Sequence, residues 1–299
     1  MIAMPDLACV TGCALVGILY GLLGSFSLAR NQALLGDVLS HAAWPGLVLA
    51  FGLTGSRNFG ALAIGAIMAG LAAIASLDWL SRGSGRIKSD ARLALILSGF
   101  FGVGMLATRQ VQISRPESMG HLQAFLFGQT AALMWSDVCV MGLALVVSVT
   151  IVWLRWRDLT VLCFDPEWRK TTPTSGLSTP VILNGILVLG IVAGLPVAGV
   201  VLVSALLVCL PVTARVFTVR FASGTILAMT LGGVLGALSP ILVMLIESGA
   251  RQWHGNSDAR LPTGPVFVLA GAVCAAIALS LGEWTKKSKK PGKSPNAAY

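Results

Sequence analysis

An aspartate and a histidine stand four residues apart in a stretch of sequence that is otherwise almost entirely apolar. Asp37 and His41 lie in the segment LLGDVLSHAAWPG, at the start of a long hydrophobic run. On a helix, positions i and i+4 share one face, so the carboxylate and the imidazole would point the same way. An ionised carboxylate at the centre of a bilayer costs about 2.5–3.5 kcal/mol on insertion scales, so it normally faces a partner or a wet cavity.

Two interpretations of this pair are open on the residues alone. In the first, Asp37 hydrogen-bonds neutral His41 and helps helices to pack. In the second, the pair binds a cation on a permeation path, and the mixture of oxygen and nitrogen ligands suits Mn(II), Zn(II) and Fe(II). Two ligands are too few for a closed site, but a two-fold dimer would bring four to its axis. Pro45 and Gly46 would bend or break the helix beside such a path.

The rest of the chain has the composition of a protein that crosses a membrane many times. Of its 299 residues, 56% are hydrophobic and only 11% are charged, against roughly a quarter charged in soluble domains. Continuous apolar runs recur along the chain at the length that a membrane-spanning helix needs. Because these runs are continuous rather than alternating, they exclude a transmembrane β-barrel. The predicted fold class is all-α, a polytopic bundle of transmembrane helices.

We expect nine spans, or eight if one pair of windows forms a single unit. The windows are 8–28, 33–53, 59–80, 91–108, 135–154, 178–195, 197–214, 221–246 and 263–284. The ambiguous pair is 178–195 and 197–214. Gly194, Pro196 and Gly199 would mark either a tight turn between two spans or a break within a re-entrant unit.

The basic residues predict the orientation. The net charge is +9, and the lysines and arginines sit singly or in short clusters between apolar spans. That distribution is typical of topology determinants and not of a nucleic-acid-binding face. The positive-inside rule places the loop 155–177 and the C-terminus in the cytoplasm, with the N-terminus outside. Residues 1–284 then form the transmembrane domain, and 285–299 form a basic cytoplasmic tail that is predicted to be disordered.

The loop 155–177 contains a candidate docking element for a soluble partner. Asp165 is suited to cap a helix N-terminus, and Pro166 is suited to the first helical position. A short helix starting here would offer Trp168 beside charged side chains. The alternative is an interfacial helix with a Trp anchor. The residues of the predicted docking element are Asp165, Pro166, Glu167, Trp168 and Arg169.

The sequence has no motif that would hydrolyse ATP. It lacks a Walker-type phosphate-binding loop, and it lacks a Ser-His-Asp or Cys-His arrangement suited to catalysis in a membrane. If transport is active, its energy comes from a separate subunit or from an ion gradient. We therefore do not expect an enzyme, and we expect no permanently bound cofactor.

Three segments resemble motifs of a known family. The residues from Gly36 to Gly46, GDVLSHAAWPG, resemble the "GD-A-L-SH-A-V-L-PG" signature of the ABC-3 family. These are the membrane permeases of bacterial manganese, zinc and iron ABC importers. The VSALL…TAR segment from Val203 to Arg215 and the FLFG…WSD segment from Phe125 to Asp137 are similar to two further motifs of that family. The resemblance covers nearly the whole chain in the family's order.

The resemblance implies an all-helical permease of the bacterial inner membrane that dimerises, with itself or with a sister permease. It implies that Asp37 and His41 contact the transported Mn²⁺, Zn²⁺ or Fe²⁺ in the pore. It also implies a cytoplasmic ABC ATPase that docks near 165–175 and hydrolyses ATP, and an extracytoplasmic protein that delivers metal. Trp44 stands where the family usually has a smaller aliphatic residue. The candidates for lining or gating the pore are Ser40, Trp44 and Pro45.

Three other functions are weighed against metal import. A permease for a bulky metal chelate, such as a siderophore or cobalamin, would have a wide apolar passage without paired charged ligands, which Asp37 and His41 argue against. A gradient-driven secondary carrier would transport metal in the absence of any ATPase. A membrane enzyme would need a second cluster of catalytic polar groups.

Overall fold

Nine α-helices make up the part of the chain that the computed structural model describes, and no strand occurs there. The described residues are 7–55, 59–83, 88–114, 128, 130, 133–165, 178–254 and 262–288. In chain order the helices are α1 (Leu7–Ala29), α2 (Ala33–Thr54), α3 (Phe59–Gly83), α4 (Ser89–Ser114), α5 (Trp135–Leu154), α6 (Trp156–Phe164), α7 (Thr179–Phe217), α8 (Phe221–His254) and α9 (Thr263–Ser288). All except the short α6 are long and apolar enough to cross a membrane. The predicted all-α bundle is confirmed.

Three helices form the centre of the bundle. In their most apolar windows 67% of α1, 72% of α2 and 83% of α7 is buried, against 22–33% of the other five long helices. The outer helices expose apolar side chains, as a surface that meets lipid tails does. Small residues let the inner backbones approach closely. Gly17 of α1 faces Gly232 of α8, and Gly46 of α2 faces Gly65 of α3.

Two residues at helix ends have a structural role in ending or capping a helix, which explains their presence without a functional site. Gly55 adopts the left-handed conformation that commonly ends a helix, and its N–H donates to the carbonyl of Phe51 at the end of α2. At the start of α5, the Asp137 carboxylate accepts a hydrogen bond from the N–H of Met134 at 3.0 Å. Asp137 is therefore a helix-capping residue.

The 39-residue helix α7 consists of two limbs that meet at Gly199, where φ is 72° and ψ is 162°. The first limb runs antiparallel to α1. Near its start, Asn184 accepts a hydrogen bond from Arg30, just beyond the C-terminal end of α1, at 3.1 Å. Further along, the carbonyl of Ile191 accepts a hydrogen bond from the Tyr20 hydroxyl at 3.3 Å.

The second limb runs in the opposite direction, parallel to α9. Leu206 lies against Gly271 of α9, and Val216 lies against Gly282 further along the same helix. Gly128, which also has a φ of 72°, packs against the backbone where the two limbs meet.

Both outer ends of α7 lie at the C-terminal end of α1. Phe221 begins α8 shortly after the second limb ends, and its ring lies 5.2 Å from that of Phe26 on α1. A chain that leaves one end of α1 and returns to it traverses the bundle twice. The windows 178–195 and 197–214 therefore correspond to two limbs, and the turn between them falls at Gly199 rather than at Gly194 or Pro196.

Two local expectations need revision. Of the bend or break predicted at Pro45 and Gly46, the break does not occur, because α2 continues through both residues to Thr54. Helix α9 continues to Ser288, so it includes the first residues of the segment 285–299 that we expected to be a disordered tail. Residues 289–299 lie outside the described residues.

The backbone at Gly199 gives a testable prediction. Its φ and ψ lie in a region that is essentially restricted to glycine, and forcing another residue there costs on the order of 1–3 kcal/mol. We expect Gly199→Ala to lower the melting temperature of the purified protein in detergent and to lower its yield in the membrane.

Gly185→Ala is the matched control. Gly185 lies on the first limb of α7, and nothing lies within 4 Å of a methyl group added there. Alanine in place of a helical glycine is favourable by about 0.5–1 kcal/mol. Equal melting temperatures for Gly199→Ala and Gly185→Ala would show that the turn tolerates a side chain and would contradict the assignment of Gly199 as the required residue.

Candidate metal centre

Asp37 and His41 lie one turn apart on α2 with their side chains side by side. Their closest atoms, Oδ1 of Asp37 and Nε2 of His41, are 3.6 Å apart. That distance is too long for a hydrogen bond, so the directly bonded packing pair is not formed. Two ligand atoms that each lie about 2.1 Å from one ion, at near-tetrahedral angles, are about 3.4–3.6 Å apart. The spacing therefore suits a shared cation.

The pair lies on the exposed stripe of α2, which runs from Leu34 through Asp37 to His41 and ends there, because residues 42–48 are all buried. Leu34 is 55% exposed, while the side chains of Asp37 and His41 are 35% and 17% exposed. Most of the remaining surface of α2 is buried against other helices. Asp37 is thus accessible to an ion or to a neighbouring chain, and His41 lies mostly buried beside it.

The described part of the chain supplies only these two candidate ligands. Within the described part of the chain, no group of three or more His, Cys, Asp or Glu side chains is placed to hold a metal ion. Protein zinc sites with all positions filled usually have four ligands. The described part of the chain therefore offers at most two of the ligands that such a site needs.

Helix α4 packs against α2 beside this pair. The Trp44 indole Nε1 donates a hydrogen bond to Thr108 Oγ1 at 3.1 Å, and the Thr108 hydroxyl donates to the carbonyl of Gly104 at 2.7 Å. A methyl group added at Gly104 would come within 2.7 Å of the Trp44 ring and 3.1 Å of the Pro45 ring. Phe101 lies one turn before Gly104, and its ring centroid is 5.0 Å from that of His41. No pattern in the sequence indicates that Phe101, Gly104 and Thr108 contact α2 here.

The three pore or gate candidates lie inside the protomer. Ser40 is fully buried, and its hydroxyl donates to the carbonyl of Asp37 at 2.9 Å. Trp44 is fully buried against α4. Pro45 borders an apolar groove between α2, α3 and α4, with a volume of about 820 Å³. Their roles in a pore stay predictions.

The predicted docking element begins where α6 ends. The N–H of Asp165 donates to the carbonyl of Val161 at 2.8 Å and closes this nine-residue helix, which the sequence analysis did not predict. The short helix predicted to follow, with Pro166, Glu167, Trp168 and Arg169, lies outside the described residues.

An aromatic cluster lies at the same end of the bundle. The rings of Trp156 and Phe221 stack at 5.7 Å, the ring of Phe164 packs edge-on against Phe221 at 5.3 Å, and the ring of Phe26 packs edge-on against both Trp156 and Phe221. The Arg215 guanidinium lies 6.0 Å from the centroid of the Phe221 ring. The cluster therefore joins α6 to the ends of α1, α7 and α8.

The second limb of α7 connects this cluster to the candidate metal ligands. Leu207 packs against Gly36, the residue immediately before Asp37. Arg215 lies two turns further along the same limb, beside the aromatic cluster. A displacement of the second limb would therefore also move the backbone that carries Asp37.

Comparison with known proteins adds the family. The model of the ABC 3 transport family matches residues 7–250, from α1 into α8. The chain belongs to this family. Two membrane proteins of transport systems are 32–33% identical to this ABC 3 family member.

The first relative is the manganese transport system membrane protein MntC of Bacillus subtilis, 33% identical over 269 residues. The match covers 88% of this ABC 3 family member and spans only 58% of the length of MntC. The second is the zinc transport system membrane protein TroC of Treponema pallidum, 32% identical over 273 residues, with 91% of this chain and 87% of TroC covered. The resemblance to membrane proteins of metal transport systems is confirmed.

A solved structure has the same fold. The structure of PsaBC from Streptococcus pneumoniae in complex with Fab superimposes with a TM-score of 0.76 at 24% identity, over 94% of each chain. At that identity the likeness is one of fold alone. The roles of Asp37 and His41 in this ABC 3 family member stay predictions.

The contact between α2 and α4 can be tested with a pair of glycines on α4. Gly104→Ala would push the added methyl into Trp44 and Pro45, and overpacking of this kind typically costs about 1–3 kcal/mol. We expect a lower melting temperature for the purified protein, because the backbone of α2 that carries His41 is displaced.

Gly102→Ala is the control, since nothing lies within 4 Å of a methyl group added at Gly102. We expect this variant to be at least as stable as the wild type. If the two alanine variants melt at the same temperature, the close approach of α4 to α2 is not a constraint on the fold.

Proposed function

We propose that this chain is the membrane permease of an ATP-driven importer for the divalent transition metals Mn²⁺, Zn²⁺ or Fe²⁺. The observation that carries the proposal is the 3.6 Å separation of Asp37 and His41 on the exposed stripe of a central, mostly buried helix. Membership of the ABC 3 transport family supports it. The proposal joins a local chemistry, which suits a divalent cation, to a fold that transport proteins use.

The cargo passes a ring built from two protomers. Since one protomer provides two ligands, a second permease, identical or a sister chain, would supply the other two across a two-fold axis. The exposed stripe of α2 is the surface that such a partner would cover. Affinity in the ring is modest, because a conduit must release what it binds.

Nitrogen and oxygen ligands alone do not select one metal. Affinities for divalent ions follow a fixed order that depends little on the protein, so geometry and supply decide which ion is carried. A metal-binding protein on the outer face would provide that supply. This division of labour leaves the permease free to accept Mn²⁺, Zn²⁺ and Fe²⁺.

The orientation follows from charge and from the number of traversals. The eight long helices, with α7 counted as two limbs, make nine traversals. An odd number of traversals places the two termini on opposite sides of the membrane. The basic loop 155–177 and the basic tail then lie in the cytoplasm of the bacterial inner membrane, with the N-terminus outside. The tail contacts anionic headgroups of the lipid bilayer.

A cytoplasmic ABC ATPase supplies the energy at the docking element formed by Asp165, Pro166, Glu167, Trp168 and Arg169. ATP is bound and hydrolysed on that partner. The signal reaches the metal site through the aromatic cluster and the second limb of α7, because Leu207 packs on the residue before Asp37. Closure of the ATPases would thereby alter the ring from the cytoplasmic side.

Uptake by cells tests the proposal. The chain is expressed with the ATPase and binding protein that accompany it, and ATP-dependent accumulation of Mn, Zn and Fe is measured. We expect accumulation of at least one metal, and we expect Asp37→Asn and His41→Ala each to reduce its rate by about tenfold or more, the effect of losing roughly 1.4 kcal/mol of interaction. Expression and membrane insertion of each variant are checked on the same cells.

Three results would overturn the proposed function or a part of it. Metal uptake that survives both substitutions would leave Asp37 and His41 as a packing pair. Uptake of a metal chelate without uptake of the free metals would favour the chelate permease. Metal uptake without a functional ATPase would identify a gradient-driven carrier.

The docking element is tested by its tryptophan. We expect Trp168→Ala to lower the amount of ATPase that co-purifies with the permease, because a large apolar anchor at an interface is lost. Trp153→Ala is the control, since Trp153 lies on α5 and is 76% exposed on a membrane-spanning surface. Equal recovery of ATPase with both variants would show that the anchor lies elsewhere.

A further inference from the structure

A metal-binding histidine must be held in one orientation, because only one ring nitrogen can face the ion. Metal-ligating histidines usually achieve this by donating the other ring N–H to a carboxylate, a carbonyl or a water. In His41 the other nitrogen is Nδ1, which is buried. Among the described residues, no protein atom forms a hydrogen bond with this nitrogen. The usual protein partner for orientation is therefore absent from the described part of the chain.

An aromatic ring on another helix contacts the imidazole instead. The rings of Phe101 and His41 are 5.0 Å apart at an interplanar angle of 86°. This edge-to-face arrangement is one of the two that aromatic rings prefer, and it depends on the orientation of both rings. It restricts rotation of the imidazole about the bond to its Cβ while Nε2 stays beside Asp37.

The position of Phe101 is itself fixed. One turn further along α4, Gly104 lies against Trp44 and Pro45, and Thr108 accepts the hydrogen bond of the Trp44 indole. These contacts set the register of α4 relative to α2, and Phe101 follows from that register. The contact with His41 is therefore part of a packed interface.

We propose that Phe101 is a positioning residue for the transported metal, which holds the His41 imidazole with Nε2 directed at the space it shares with Asp37. The proposal rests on the proposed function, because it assigns Phe101 an effect on cargo only if Asp37 and His41 bind that cargo. Phe101 has no atom that would ligate a metal, so it acts through His41 alone. Because it belongs to α4, a displacement of α4 relative to α2 would loosen the site.

The matched control is the next residue in the chain. Phe100 has the same side chain on the same helix, but it lines the apolar groove between α2, α3 and α4. The variants to compare are Phe101→Leu, which keeps the bulk and loses the ring, Phe101→Tyr, which keeps the ring, and Phe100→Leu. Each is purified with its ATPase partner, and its melting temperature shows whether it is folded.

The measurement is the dissociation constant for Zn²⁺ and for Mn²⁺, each titrated alone into the purified complex. We expect Phe101→Leu to weaken binding by about three- to tenfold, the range for loss of an aromatic pair. Phe101→Tyr and Phe100→Leu should stay within about twofold of the wild type. A purely structural role would instead lower the melting temperature of Phe101→Leu.

A double-mutant cycle isolates the action through His41. In a His41→Ala background, we expect Phe101→Leu to cause no further loss of the remaining, Asp37-dependent binding. Additive losses would overturn the proposal and leave Phe101 as a general packing residue. So would wild-type affinity in the Phe101→Leu single variant.

The same titration separates this inference from the proposed function. If metal binding to the wild type is unaffected by Asp37→Asn and His41→Ala, the metal ring fails and the positioning role fails with it. If both substitutions abolish or weaken binding while Phe101→Leu does not, only the positioning role fails.

Discussion

The close packing of α2 against its neighbours is the constraint on which the candidate site depends. Gly46 admits α3, Gly104 of α4 admits Trp44, and Gly36 receives Leu207 from α7. Because these contacts occupy most of the surface of α2, Asp37 and His41 have only the exposed stripe to face. In a membrane, where burial of apolar side chains gives little net drive for helices to associate, such close approach of small residues supplies much of the packing energy. The candidate site is therefore positioned by helix contacts in which neither Asp37 nor His41 takes part.

Much of the fold was predictable, because the length of an apolar run is a strong signal in a membrane protein. The windows at 33–53 and 135–154 differ from α2 and α5 by one residue or none at either end. The uncertain pair at 178–195 and 197–214 shows the limit of that signal. Gly194, Pro196 and Gly199 all permit a turn, and hydropathy does not show at which of them the chain turns. The position of the turn depends on where another part of the chain must approach this backbone closely.

The candidate site was predictable only where its parts share one helix. The i, i+4 spacing fixes how Asp37 and His41 lie relative to each other, whatever the rest of the chain does. Phe101 and Thr108 are some 60 residues away from their partners on α2, and their contact depends on the register between two helices, which no local pattern encodes. Pro45 misled for a related reason. Proline removes one backbone donor from a helix, but whether the helix then breaks depends on its neighbours, and here α4 packs directly against that turn.

The turn at Gly199 has a consequence for membrane insertion. Helix α8 runs antiparallel to α1, as the facing pairs Gly17 with Gly232 and Gly21 with Ala228 show. A straight α7 would emerge on the other side of the bilayer and would invert both helices that follow. The backbone conformation of Gly199 therefore decides whether the number of crossings is odd or even, and with it the direction in which the last third of the chain crosses the membrane. No other amino acid adopts that conformation without strain.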